Sequence, residues 1–367
     1  MPDPAASALR ELGWDDGWAA ALAGSGERSL TPGRVSRVDR GACTVLTTTG
    51  PVRASNLPDV AVGDWVTVRP GPTEHDMASV AAILPRRCTF RRSAGTRGGP
   101  PQVVAANIDT VLLVTAVDRH LGVRHLERYL ALAWQSGAVP VVVISKADLA
   151  PPDILAGRVA EARSVALDVD VQVVSVATGR GLESLAPYLV PGRTVALLGL
   201  SGAGKSTLVN LLAGDDILAT GLVRADGQGR HTTTHRELVV LPGGGMVIDT
   251  PGMRALSVSG ADDGVRRTFA DVEALADRCQ FGDCGHAGDT GCAVRGAVAA
   301  GRLGADRLDS WLRNRDEPEP EQARHTARVQ VEERKRRKVL AKAARGQATV
   351  DAAAAHPPAS PMQPSGR

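Results

Sequence analysis

Aromatic residues are scarce in this chain: three Phe, two Tyr and five Trp among 367 residues. Platforms on which bases could stack are correspondingly few. Cysteine is scarce as well, and five are too few for a disulfide scaffold. Long hydrophobic runs are missing: no stretch of eighteen apolar residues exists, so no membrane span is expected. The N-terminus, with Asp3, Glu11, Asp15 and Asp16 among alanines, lacks the basic-then-apolar plan of an export signal. Cytoplasmic residence is the expectation. An excess of one charge is also lacking, because the net charge is only +3. Any nucleic-acid signal must therefore come from local clusters. The chain is nevertheless 43% hydrophobic and long enough for two or three domains, each with a core.

The most informative stretch is Gly199-Leu200-Ser201-Gly202-Ala203-Gly204-Lys205-Ser206. It fits G-x-x-x-x-G-K-[ST], follows an apolar strand pattern at 194–198 and precedes a helical one from Thr207, with Leu208, Leu211 and Leu212 at core spacing. Glycines let backbone N–H groups close around a phosphate, and a helix N-terminus adds partial positive charge. Lys205 would reach the outer phosphates and Ser206 would offer a hydroxyl to Mg²⁺. The alternative is a Gly-rich strand-to-helix turn without a ligand.

Residues 1–30 read as a short extension, helical in part, anchored by Leu9, Leu12, Trp14 and Trp18. From Thr31 the text turns to short β runs: 33–35, 43–47, 60–68 and 80–84. Their length and spacing predict a small closed barrel over 31–90. An RNA-binding barrel and an inert one both fit. Arg86, Arg87, Arg91, Arg92 and Arg97 then form a basic hinge with no acid nearby in sequence, open to phosphate contact. Between 91 and 260, apolar strands at 111–114, 139–144, 171–174, 194–198 and 246–248 alternate with helical patterns, which predicts a parallel sheet covered on both faces.

Loops at the strand ends carry further motifs. Ser145-Lys146-Ala147-Asp148 resembles the Asn-Lys-x-Asp motif by which GTPases read guanine. The carboxylate of Asp148 can accept N1–H and N2–H₂, and the stem of Lys146 would lie along the base; Ser145 cannot supply a side-chain amide and should make a weaker contact. Ser175-Val176-Ala177 resembles the loop whose backbone N–H meets guanine O6. Asp249-Thr250-Pro251-Gly252 fits D-x-x-G, with Asp249 holding Mg²⁺ through water and the Gly252 N–H sensing the γ-phosphate. One threonine of Thr232-Thr233-Thr234 should complete the magnesium shell; Thr233 is taken here, although the sequence does not distinguish the three. Met253 stands where many GTPases carry a water-orienting Gln, so slow intrinsic hydrolysis is expected. His231 is the candidate within the chain for positioning that water, the alternative being an ordinary exposed histidine. The expected catalytic set is thus Lys205, Thr233 and His231. The nucleotide-binding set is Ser145, Lys146, Ala147, Asp148, Ser175, Val176, residues 199–206, Thr207, Asp249 and Gly252, with Ser206, Thr233 and Asp249 for magnesium.

The base-reading loops precede the phosphate loop, the reverse of the usual order, so the nucleotide domain reads as circularly permuted. Within 261–316, Cys279, Cys284, His286 and Cys292 follow C-x₄-C-x-H-x₅-C, a closed ligand set for one structural Zn²⁺. Residues 317–367 hold an acidic linker, a basic stretch from Arg324 to Arg345 with helix propensity, and an Ala/Pro-rich end expected to be disordered.

Together with Gly63-Asp64-Trp65-Val66, residues 105–109, residues 126–130 and Gly229 to Thr234, these features resemble the ribosome small-subunit-dependent GTPase A family over about residues 31–345. The resemblance implies three parts: an N-terminal all-β OB-fold barrel, a central α/β circularly permuted P-loop GTPase domain, and a C-terminal mainly helical zinc-binding domain. It further implies a monomer with GTP, GDP, Mg²⁺ and Zn²⁺ as ligands and the small (30S) ribosomal subunit with its 16S rRNA as partner. On that reading the factor acts late in subunit maturation, and subunit-stimulated hydrolysis releases it. An ATP-using P-loop kinase and a nucleotide-holding RNA scaffold without turnover are the competing classes.

Overall fold

Short β-branched runs separated by turn residues close into a barrel. Its strands are β1 (Thr31–Val38), β2 (Ala42–Thr47), β3 (Gly50–Ser55), β4 (Trp65–Arg69) and β5 (Ala78–Ile83). They pair in the order β1-β2-β3-β5-β4, and β4 returns to β1 to close the ring. This computed structural model describes residues 4–26, 30–73, 76–92, 102–118, 122–214, 237–249 and 263–315. Val35, Cys43, Val45, Val66, Val68 and Val80 fill the barrel. Two details depart from the sequence expectation. Strand β3 is hidden in the sequence by Pro51 and Arg53, and the run 60–68 is broken because Gly63 takes φ 87° and the last strand residues begin only at Trp65.

The N-terminal helices α1 (Pro4–Glu11) and α2 (Asp16–Gly24) cap the barrel. Trp14 and Trp18 lie 4.7 and 6.1 Å from the buried Trp65, so the barrel tryptophan is a core residue and not an open stacking platform. Arg86 and Arg87, expected to be free of acids, are not. Arg86 grips the fully buried Asp64 with two bonds of 2.7 Å, and Arg87 forms a bidentate pair with Asp15 at 2.6 Å. Their partners lie more than twenty residues away, beyond the reach of a local reading. A hairpin, β6 (Thr89–Arg92) with β7 (Gln102–Ala106), follows the barrel.

The second layer system is a sheet of β8 (Thr110–Ala116), β9 (Val139–Ser145), β10 (Val171–Val173), β11 (Thr194–Leu198), β12 (Glu237–Val240) and β13 (Met246–Asp249). Its order is β10-β9-β8-β11-β13-β12, parallel except for β12 at the edge. Strand periodicity sends Val111, Leu113, Val142, Ile144 and Ile248 to one face and Leu112, Val114, Val141, Val143 and Val247 to the other. Helices α3 (Val123–Ser136) and α4 (Pro152–Val165) cover the first face; α5 (Lys205–Ala213) covers the second with Leu208, Val209 and Ala213. Leu211, expected in the core, is 45% exposed because the helix turns Val209 inward instead. The edge strand β12 continues into the barrel, with Glu237 opposite Arg37 of β1.

Arg34 of β1 sits where these parts meet. Its guanidinium donates to the carbonyls of Leu12 at 2.5 Å and Asn107 at 2.8 Å and touches the sulfur of Met246 at 3.5 Å. Burial lowers its pKa to about 10, which leaves it charged at neutral pH.

The C-terminal helices are α6 (Asp263–Thr268), α7 (Ala270–Ala276), α8 (Ala293–Ala299) and α9 (Ala305–Arg315). Helix α6 lies against α3 so closely that a Cβ on Gly264 would stand 2.3 Å from the Ala131 carbonyl oxygen. Helix α3 is therefore covered on two sides, and Ala131 and Leu132 are buried along with Leu126 and Leu130. Among the described residues no helix is long and apolar enough to cross a membrane.

Candidate nucleotide site and metal centre

The chain runs outward from β8 through β9 to β10, then crosses to the other side of β8 to form β11 and β13. The loops at the carboxyl ends of these strands gather on one edge of the sheet, and the crossing from one side of β8 to the other is the switch point at which α/β sheets bind ligands. The loop 199–204 leaves β11 there. Gly199 has φ 151° and lies so near β8 that a Cβ would meet the Val114 carbonyl oxygen at 2.1 Å, so no larger residue fits. Gly202 and Gly204 also take positive φ, at 78° and 85°. No side chain caps the first turn of α5, where Lys205, Ser206 and Thr207 present their N–H groups. Lys205 folds back over the loop, donating to the carbonyls of Gly199 at 2.9 Å and Leu200 at 2.8 Å. An ammonium held over a loop of this shape, beside an uncapped helix start, is an anion cradle.

Ser145 ends β9 and is buried. Its hydroxyl faces the carbonyl of Ala203 in the phosphate loop at 2.7 Å and that of Thr115 at 3.2 Å. The two loops are thus joined through position 145, a link the sequence reading missed. Lys146 takes left-handed φ 55°, and its Nζ pairs with Asp118 at 3.1 Å. Asp148 accepts from the Ser175 hydroxyl at 2.5 Å, while the Ala147 N–H donates to Val174 O at 3.1 Å. The segments 145–148 and 175–176 are therefore one unit. Asp118 was not singled out beforehand: it lies 28 residues from Lys146, and nothing in the spacing marks it.

Asp249 is the last residue of β13, level with the other strand ends. His231, Thr233, Gly252 and Met253 lie outside the described residues, as do the threonines at 232 and 234 and the basic stretch within 317–367.

Cys279, Cys284, His286 and Cys292 converge, with their ligand atoms all within 4.8 Å of one another. His286 Nδ1 stands 3.6 Å from Cys279 Sγ and 3.5 Å from Cys292 Sγ. Around a tetrahedral Zn²⁺, Zn–S and Zn–N bond lengths set an S···N edge of roughly 3.6 Å, so the donor set and its size suit one zinc ion. Burial holds His286 below its ordinary pKa, in the neutral form a ligand needs. Burial pushes the Cys279 thiol up, but hydrogen bonds from the Ala293 and Val294 N–H groups and from Cys284 and Cys292 together hold that thiol below its ordinary value. Around the cluster, Trp311 packs on the His286 ring at 5.1 Å and donates its indole N–H to Glu273 at 2.8 Å.

This centre is fastened to the nucleotide sheet. Glu127 of α3 is 1% exposed and accepts from Arg307 at 2.7 Å and from the Ser310 hydroxyl. Arg307 also donates to Asp271 at 2.8 Å and to the Thr268 carbonyl at 2.7 Å. A buried carboxylate in the middle of a helix is not readable from one sequence; its arginine lies 180 residues on.

Comparison with known proteins agrees with this architecture. The profile of the RsgA GTPase family matches residues 83–259. Over 351 residues the chain is 44% identical to the Small ribosomal subunit biogenesis GTPase RsgA of Streptomyces coelicolor, covering 92% of this chain and 95% of that protein. The chain belongs to the RsgA GTPase family. It is a GTP-hydrolysing enzyme with a circularly permuted nucleotide domain. The Small ribosomal subunit biogenesis GTPase RsgA of Opitutus terrae is 46% identical over 327 residues, 83% of this chain and 88% of that one. The crystal structure of YjeQ from Thermotoga maritima matches with a TM-score of 0.58 at 27% identity, over 78% of this chain and 98% of that one. YloQ, described as a circularly permuted GTPase, matches at 0.56 and 23% identity, over 78% and 94% of the two chains, and supports the fold alone.

Proposed function

We propose that this GTPase acts in biogenesis of the small ribosomal subunit as a timed binding factor. Its GTP state binds the maturing 30S particle, contact with the particle stimulates hydrolysis, and the GDP state leaves. The observation that carries the reading is the gathering of segments 145–148, 175–176 and 199–207 on one sheet edge in permuted order, in a chain whose curated relatives are described as small-subunit biogenesis GTPases.

In this account Asp148 reads the guanine edge, with Lys146 along the base and backbone N–H groups of Ser175 and Val176 near O6. Residues 199–207 cradle the phosphates, and Lys205 leaves the loop carbonyls for the outer phosphate oxygens. Ser206, Thr233 and Asp249 would hold Mg²⁺, which would supply charge neutralisation to the phosphates. With Met253 in place of a water-orienting residue, His231 and the particle position the attacking water. Zinc on Cys279, Cys284, His286 and Cys292 is structural. The barrel and the basic stretch within 317–367 meet 16S rRNA, and the protein works as a cytoplasmic monomer. The working parts are 1–30, 31–90, 91–260, 261–316 and 317–367.

Sedimentation tests the reading. With a non-hydrolysable GTP analogue the protein should pellet with small subunits and not with large ones, and with GDP it should stay in the supernatant. Lys205→Ala, unable to hold the phosphates, should lose the nucleotide-dependent difference. Equal pelleting in the analogue and GDP states would contradict a nucleotide-timed factor.

A further inference from the structure

We infer that this GTPase leaves guanine N7 unread and selects its base through N1–H, N2–H₂ and O6 alone. The inference rests on the guanine reading of residues 145–148 proposed above. Guanine presents two acceptors, N7 and O6, on the edge facing away from its N1–H and N2–H₂ donors. Asp148, an acceptor only, suits the donors, and backbone N–H groups after β10 suit O6. N7 needs a separate donor, and the first position of the tetrad is where a side-chain amide would supply it.

Ser145 occupies that position and has nothing left to give. Its hydroxyl carries one proton, and the two oxygens in reach are the carbonyls of Ala203 at 2.7 Å and Thr115 at 3.2 Å. Both face a side chain that is only 5% exposed. The remaining capacity of a hydroxyl is acceptance, which is useless to N7, itself an acceptor. Lys146 is the only other side-chain donor within residues 145–148, and its Nζ sits on Asp118 at 3.1 Å. Position 145 has therefore kept the task of tying β9 to the phosphate loop and given up the reading of the base. An asparagine there has two amide protons and could do both.

The test is equilibrium binding of GTP, ATP and 7-deaza-GTP, in which N7 is replaced by C–H, to the full-length native chain and two variants. The native protein should bind GTP and 7-deaza-GTP within about twofold of each other, both well ahead of ATP. Ser145→Asn should prefer GTP over 7-deaza-GTP by about fivefold, the weight of one ordinary hydrogen bond. Ser145→Ala, which loses the tie to Ala203, should weaken both guanine nucleotides equally. A native preference for GTP over 7-deaza-GTP of tenfold or more, with ATP still rejected, overturns this inference and leaves the guanine reading standing. ATP binding as well as GTP removes the guanine reading, and this inference with it.

Discussion

At the scale of single residues, the legible positions are those whose chemistry permits few substitutes. Gly199 and Gly204 announce themselves because a close backbone approach and a positive φ each call for glycine. Cys279, Cys284, His286 and Cys292 are legible too. Positions whose role depends on a distant partner are not. Asp15 looks like an ordinary acidic residue near the N-terminus, yet it caps α2 through the Trp18 N–H at 3.0 Å and pairs with Arg87, whose guanidinium lies 4.3 Å above the Trp18 ring. The hydrogen bonds from Arg87 are the main cause of its pKa falling from 3.8 to about 2. A carboxyl with a depressed folded pKa stabilises the fold above its unfolded value and loses that contribution as pH falls through the folded one. The pair's contribution to holding the N-terminal helices should therefore be lost as pH falls from about 3.8 toward 2. In Arg87→Gln that acid-labile contribution should be missing, leaving the helices less firmly held at neutral pH and less responsive to pH across the window. Tryptophan fluorescence during acid titration checks this, because Trp14 and Trp18 pack on Trp65; superimposable curves for the two proteins would show that the pair does not hold the helices.

At the scale of elements, continuous apolar runs separated by helical patterns predicted the central strands. What escaped prediction were elements defined by their neighbours. Strand β3 carries too few apolar residues to stand out, β12 is a four-residue edge strand, and the β6–β7 hairpin is hidden in an arginine-rich stretch. Helix α3 is the most consequential case. It packs one face on the sheet, α6 covers another side, and Arg307 of α9 neutralises Glu127 there. Removing one member of a buried ion pair leaves an uncompensated charge, at a cost of about 3–5 kcal/mol. Arg307→Ala should lose that much stability in urea unfolding of the full chain. Arg307→Met combined with Glu127→Leu should recover part of it, since Glu127 is then no longer stranded while Asp271 and the Thr268 carbonyl still lose their donor. A loss below about 1 kcal/mol for Arg307→Ala would mean that Glu127 finds another partner or is protonated.

At the scale of the whole molecule, permutation determines what the nucleotide site can drive. The chain enters the sheet from the barrel and leaves it from β13, so the strand ending at Asp249 leads next to α6 and the zinc centre. The barrel touches the same region from the other side, through Arg37 opposite Glu237 and through Arg34 against Met246. The barrel thus contacts the β12–β13 hairpin directly, while the C-terminal helices follow that hairpin in the chain and pack on α3. The order of the motifs made the permutation readable from sequence; the contacts of Arg34 and Glu127 that fasten the parts together were not, because they join residues far apart in the chain.

The central claim is that the particle completes the site. It is tested most directly by the rate of GTP hydrolysis by the purified protein alone, with small subunits and with large subunits. Slow turnover alone, strong acceleration by small subunits and none by large ones is the predicted result. Rapid turnover by the free protein, or equal acceleration by both subunits, would contradict it.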